Sequence, residues 1–225
     1  AQIRGTNQAA RNVSDAIALV QTADGAAKEI SAIMQRMREL AVQGATETYS
    51  TDDLALMDIE YQQLESEITR IVAQTKWNKM ELLDGSGGSG GAGAFIIQVG
   101  SDNAQSMTVS IGNLDIAAGS LGCLSGLDVG TQSNASSAIT NIDGAFQTLA
   151  TIRADYGSYM NRLENTLNNA EVFSANMSDA NSRLMDTDYA KEMTEFAKSQ
   201  IVRQAGMAML SQANAIPNQV LQLLQ

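Results

Sequence analysis

Residues 139–170 read ITNIDGAFQTLATIRADYGSYMNRLENTLNNA, and their spacing decides the fold. Ile139, Ile142, Phe146, Leu149, Tyr156, Met160, Leu163, Leu167 and Ala170 recur at steps of three and four, the repeat of helices that bury one side against neighbours. Only Arg153 interrupts this seam, and only Gly144 and Gly157 are weak helix formers within it. Continued to Leu184, the pattern predicts a helix of about 45 residues, or about 70 Å at 1.5 Å per residue. A chain of 225 residues needs no such length to close a globular core, so the expectation is a rod.

The upstream sequence supplies the partners. Val13, Ile17, Val20, Ala23, Ala27, Ile30, Met34, Met37 and Ala41 trace one stripe along a helix of about 40 residues that Gly44 ends. Ser50, with Asp53 three residues on, reads as the N-cap of a second helix. Its Leu54, Met57, Tyr61, Leu64, Ile68 and Ile71 keep the heptad steps. Glycines and serines from Asp84 to Gly93 read as a flexible linker, and Phe95–Val99 with Met107–Ile111 as a β-hairpin turning near Asp102 and Asn103. Residues 112–136 read as an irregular excursion with little core of its own.

A fourth helix begins near Asp186, Thr187 and Asp188, whose side chains suit a helix N-terminus. It carries Tyr189, Met193, Phe196, Ile201, Leu210, Ile216, Val220, Leu221 and Leu224. No matching stripe remains for it in these residues, so its partner is expected in another chain or another segment. The domain reading is 1–83, the first two helices; 84–136, linker, hairpin and excursion; 137–185, the third helix; and 186–225, the fourth.

Composition excludes several functions. Lys and Arg number 14 against 25 Asp and Glu, a net charge of −11, which disfavours nucleic acid and anionic membranes as partners. No apolar run approaches the roughly 18 residues of a membrane span, and no cleavable signal pattern is present. The absence of histidine removes the commonest general base and metal ligand. The expectation is a protein that is no enzyme and needs no cofactor or metal.

Individual motifs agree. Gly85, Gly87 and Gly90 fit G-x-G-x-x-G, but they follow a helix and precede a strand, the reverse of a dinucleotide turn. Asp186, Asp188 and Glu192 lack the glycine and distal glutamate of a calcium loop, where Lys191 and Ala197 stand instead, and are read as capping residues. Cys123 has no histidine to activate it and is read as a buried or bystander thiol. Gln35, Arg36, Arg38, Glu39, Leu40 and Gln43 form the most distinctive cluster, with Arg36, Leu40 and Gln43 on a face beside the core stripe.

Gln35–Gln43, Thr22–Ala26, Gln74–Asn78, Ile97–Gly100, Ser182–Ala190, Gln204–Met207 and Ser211–Leu224 together resemble bacterial flagellin. The resemblance is collinear across the chain except about residues 84–94 and 112–136. It implies a mainly α fold, with long heptad helices in a rod-like D1 bundle bearing a small β-hairpin, plus the C-terminal helix of the D0 core. It implies that the chain is N-terminally truncated, starting within the first D1 helix.

It further implies a secreted homopolymer subunit of the filament, located at the flagellum or cell surface. The partners implied are an export chaperone, the type III export apparatus and hook-associated proteins. Arg36, Leu40 and Glu60 match flagellin positions contacted by an animal innate immune receptor, on a surface otherwise used between subunits. The alternative is a cell-surface ligand-binding or adhesion protein built on the same scaffold, using residues 84–136.

Overall fold

A computed structural model describes residues 1–225 except Ser89, Gly90, Ala92, Ala118, Thr187, Leu224 and Gln225, and except the side chains of 215–223. The described residues form four α-helices, α1 (Gln2–Gly44), α2 (Thr51–Gln74), α3 (Gln132–Met185) and α4 (Tyr189–Leu223), and two antiparallel hairpins. The first pairs β1 (Lys76–Trp77) with β2 (Met80–Glu81), and the second pairs β3 (Ala94–Gln98) with β4 (Ser106–Ser110). The chain divides into two compact units, Ala1–Asn176 and Met177–Gln225. The division falls within α3, upstream of the break expected at 185/186.

The first unit has one core. Val13, Val20, Ala23, Ala27, Ile30, Met34, Met37 and Ala41 of α1 are buried. So are Leu54, Tyr61 and Ile68 of α2, and Ile142, Leu149, Tyr156 and Leu163 of α3. Each large side chain fully removed from water contributes about 1.5–3 kcal/mol. Arg153, which interrupts the α3 seam, reaches α1 instead: its Nε donates to Asp24 Oδ1 at 2.8 Å. A second tie between the same helices is Arg38 Nε to Asp143 Oδ1 at 2.7 Å.

Helix α2 starts where the capping residues place it. The Asp53 backbone N–H donates to Ser50 Oγ at 3.2 Å, and the Ser50 N–H donates back to Asp53 Oδ2 at 3.2 Å. Two orphan amides are thereby satisfied. Beyond α2, Lys76–Glu81 closes as a short hairpin in which Asn78 and Lys79 both take positive φ, 48° and 68°. That pair of left-handed residues matches the right-handed twist of the flanking strands.

Two expectations are corrected. The described part of 84–93 is no free tether: Ser86 N–H donates to Asp84 Oδ1 at 2.9 Å, and Gly93 N–H donates to the Gly87 carbonyl at 2.8 Å. Gly88 bridges to Ala94, and a Cβ there would stand 2.2 Å from the Ala94 carbonyl oxygen, so glycine serves close approach. Gly90, the last glycine of the G-x-G-x-x-G pattern, lies outside the described residues.

The excursion does contribute core. Leu114, Leu121, Leu124 and Val129 have no exposed surface. Its backbone is pinned by Leu114 N–H to the Leu83 carbonyl at 2.7 Å and by Val129 N–H to Asp58 Oδ1 at 3.0 Å. Helix α3 then begins at Gln132, ahead of residue 137, with Ala135 and Ala138 already buried.

Candidate subunit-contact surfaces

On the first unit, the C-terminal half of α1 and the facing side of α2 build a charged surface. Arg36 Nη2 lies 2.7 Å from Glu60 Oε1 of α2, and its Nη1 lies 3.2 Å from Glu39 Oε2 one turn along α1. The Glu60 bond chiefly, and Glu39 after it, hold the Arg36 guanidinium even more firmly protonated than usual. Arg38 points the other way and fastens to Asp143 of α3, whose carboxyl the arginine's hydrogen bond pulls below its ordinary range. The arginines flanking Met37 therefore divide between two neighbouring helices, while Met37 itself is buried.

Gln35, Arg36, Glu39, Gln43 and Glu60 are exposed, and Arg38 is half-buried. Leu40 departs from expectation. It is 2% exposed and belongs to the core, because it lies next to Met37, Ala41 and Gly44 on the inward side of the helix. The apolar surface near the cluster comes from Val42 and Tyr49, which with Gln35, Arg38, Glu39 and Gln43 line a shallow groove of about 630 Å³. Leu56 and Ile59 of α2 are also exposed. Their three-residue spacing off the Leu54–Met57–Tyr61 stripe was the signal that could have found them.

The second unit presents α4. Asp188 caps it, its Oδ1 accepting from the N–H groups of Ala190 at 3.1 Å and Lys191 at 3.2 Å. Of the three residues read as capping, Asp188 takes that role, whereas Asp186 accepts from the Ser182 hydroxyl. Every described side chain from Tyr189 to Asn214 is exposed. At about 100° per residue, Tyr189, Met193, Phe196, Met207 and Leu210 share a sector of about 100°.

Ile201, Val202 and Met209 lie outside that sector and are exposed as well. A helix apolar on more than one side is matched to burial among several neighbours. The side chains of Ile216, Val220 and Leu221, expected on the same surface, are not among those described, and Leu224 lies outside the described residues. Cys123, read as buried or a bystander, is exposed, with its Sγ 3.6 Å from the Asn141 carbonyl. Among the described residues, no helix is long and apolar enough to cross a membrane.

Residues 1–87 match the bacterial flagellin N-terminal helical region, and residues 139–224 match the bacterial flagellin C-terminal helical region. The chain is 42% identical over 225 residues to a flagellin of Halalkalibacterium halodurans, covering 100% of this chain and 80% of that protein. It is 37% identical over 251 residues to a flagellin of Bacillus subtilis, covering 100% and 82%. With flagellin FlaB1 of Treponema pallidum it shares 36% over 234 residues, covering 100% and 81%.

Among solved structures, Bacillus cereus flagellin superposes with a TM-score of 0.61 at 33% identity, covering 76% of this chain and 94% of that one. A hook-associated protein described as putative, from Vibrio parahaemolyticus, shares the fold at 12% identity and a TM-score of 0.63, covering 79% and 92%. Family regions at both ends, a relative above 40% identity along the whole length and the shared helical architecture lead to one conclusion: the chain belongs to the bacterial flagellin family.

Proposed function

We infer that this chain is a structural subunit that polymerises into the flagellar filament and so serves motility. The observation that carries this reading is α4, a helix of 35 residues whose described apolar side chains, from Tyr189 to Ala213, all face solvent in the lone chain. Leaving that much hydrocarbon in water is unfavourable by about 25 cal/mol per Å², and neighbouring copies offer the relief. Residues 84–136 give the adhesion alternative no support, because most of their large apolar side chains, the exposed Ile96 apart, are committed to the bundle core.

Finer roles follow from the same reading. Gln35, Arg36, Arg38, Glu39, Gln43 and Glu60 form a lateral contact of the first unit with the next subunit, and Leu40 supports it from beneath. Tyr189, Met193, Phe196, Ile201, Leu210, Ile216, Val220, Leu221 and Leu224 form the polymerisation surface of the tail, the C-terminal half of a D0 core, with the bundle as D1. The partners this reading implies are an export chaperone, a type III export apparatus and hook-associated proteins. The exposed Arg36–Glu60 pair is also the part of the surface open to an animal immune receptor.

The experiment is seeded elongation. Sonicated filaments supplied with this chain should grow, as read by electron microscopy and pelleting. Arg36→Ala and Glu60→Ala should each slow growth while leaving the subunit's thermal midpoint nearly unchanged. Seeds that never lengthen at any subunit concentration would remove the reading.

A further inference from the structure

The methionines of this chain run from fully buried to largely exposed, with Met80 of β2, at 41%, the exposed one on the first unit. Met34 and Met37, in the bundle core, have no accessible surface, whereas Met185, Met193, Met207 and Met209 are 74%, 46%, 70% and 71% exposed. Three of those four lie on α4, where Met193 and Met207 fall in the same sector as Tyr189 and Phe196, and Met209 lies on the other apolar side. Thioethers standing in water are the ones peroxides reach, and a packed thioether is shielded.

We propose that Met193, Met207 and Met209 are sites of reversible oxidation by hydrogen peroxide in the unassembled subunit, and that their oxidation blocks polymerisation. The inference rests on the filament-subunit reading above. In the step, the methionine sulfur attacks one peroxide oxygen, the O–O bond breaks, an S–O bond forms and water leaves. Sulfur loses two electrons and the peroxide gains them. The product is a sulfoxide, a strong acceptor on a side chain that was apolar and flexible.

Inside an assembled helix layer such an acceptor has to be buried without a donor, which opposes packing. Sulfoxide on either apolar side of α4 suffices, since both sides require neighbours. Packing in turn shields the sulfurs, so the filament resists an oxidant that disables free subunits. Reduction by two thiols, which returns the thioether, water and a disulfide, restores competence.

The test is seeded elongation of the full chain, untreated, treated with hydrogen peroxide, and treated then incubated with methionine sulfoxide reductases A and B plus dithiothreitol. Peptide mass spectrometry reports which sulfurs carry oxygen. Untreated chain that does not elongate defeats the filament reading and is distinguishable from failure of this proposal. Expected are added oxygen at Met193, Met207 and Met209 with Met34 and Met37 unmodified, and elongation slowed by about tenfold or more, equivalent to roughly 1.4 kcal/mol.

Recovery after reductase treatment is expected as well, and this arm needs no substitution. In the triple variant Met193→Leu/Met207→Leu/Met209→Leu, elongation is compared with its own untreated rate, and peroxide should slow it much less. Two outcomes overturn the proposal: oxidised chain that elongates as fast as untreated chain, or slowing that neither reductase nor the triple variant relieves.

Discussion

Tyr61 sits in α2 with no exposed surface, and its phenolic oxygen finds no hydrogen-bond partner among the described residues. Burial pushes its ionisation up, beyond any pH of interest, with Glu65 and Asp58 adding to the effect. A buried hydroxyl without a partner opposes folding, so Tyr61→Phe should stabilise the first unit by about 1 kcal/mol, read as a higher thermal midpoint. A lower midpoint would mean that the hydroxyl is satisfied. Arg153 poses the converse case. Its pair with Asp24 is partly exposed, and a double-mutant cycle with Arg153→Met and Asp24→Ala should give a coupling of about 0.5–1 kcal/mol.

Carboxylates give the pH dependence, and their signs differ. Asp143 is held below its ordinary range by the Arg38 hydrogen bond and then by the arginine's charge, which outweigh partial burial. Its contribution is present above the unfolded carboxylate value and disappears as pH falls through the lower folded value. Glu65 is raised, because burial outweighs the Gly126 amide that donates to it. It favours folding only when protonated, so that contribution is lost as pH rises through the folded value. Asp143→Asn should therefore lower the denaturation midpoint at about pH 7 and have little effect near pH 2, whereas Glu65→Gln should raise it at about pH 7 and lose the effect in acid. Chemical denaturation at both pH values checks the pair; equal effects at the two would refute it.

Among the elements, α1 and α3 have apolar stripes answered within the first unit, and α4 has apolar residues on several sides that are not covered. Amides of α1 and the first half of α3 should exchange slowly, near the limit of global unfolding, and those of α4 from Tyr189 to Asn214 should exchange fast in the lone subunit. Hydrogen exchange read by mass spectrometry decides this, and strong protection of α4 would contradict it. Leu149→Ala, removing a fully buried side chain from the middle of α3, should cost about 2–5 kcal/mol. Ser50→Ala, removing the cap of α2, should cost about 1 kcal/mol.

At the scale of the whole molecule, the role proposed for α4 assigns folding of the first unit and polymerisation to different parts of the chain. Deleting 210–225 should abolish seeded elongation while the thermal midpoint of the first unit stays nearly the same. Loss of both together would show that the tail supports the bundle.

The end of α1 at Gly44, the α2 cap, the β-hairpin and the stripes of α1 to α3 were legible from residue spacing, because each depends on contacts a few positions apart. Family membership was legible too, since it lies in ordered motifs. Tertiary structure alone decided that Leu40 turns inward, that the excursion feeds Leu114, Leu121, Leu124 and Val129 into the core, and that Lys76–Glu81 closes as a hairpin. It also decided which carboxylate each arginine meets: Asp143 for Arg38, 105 positions away, and Asp24 for Arg153, 129 positions away. Periodicity tells which side of a helix is apolar, but the rotation and register of two distant helices emerge only when their side chains pack together.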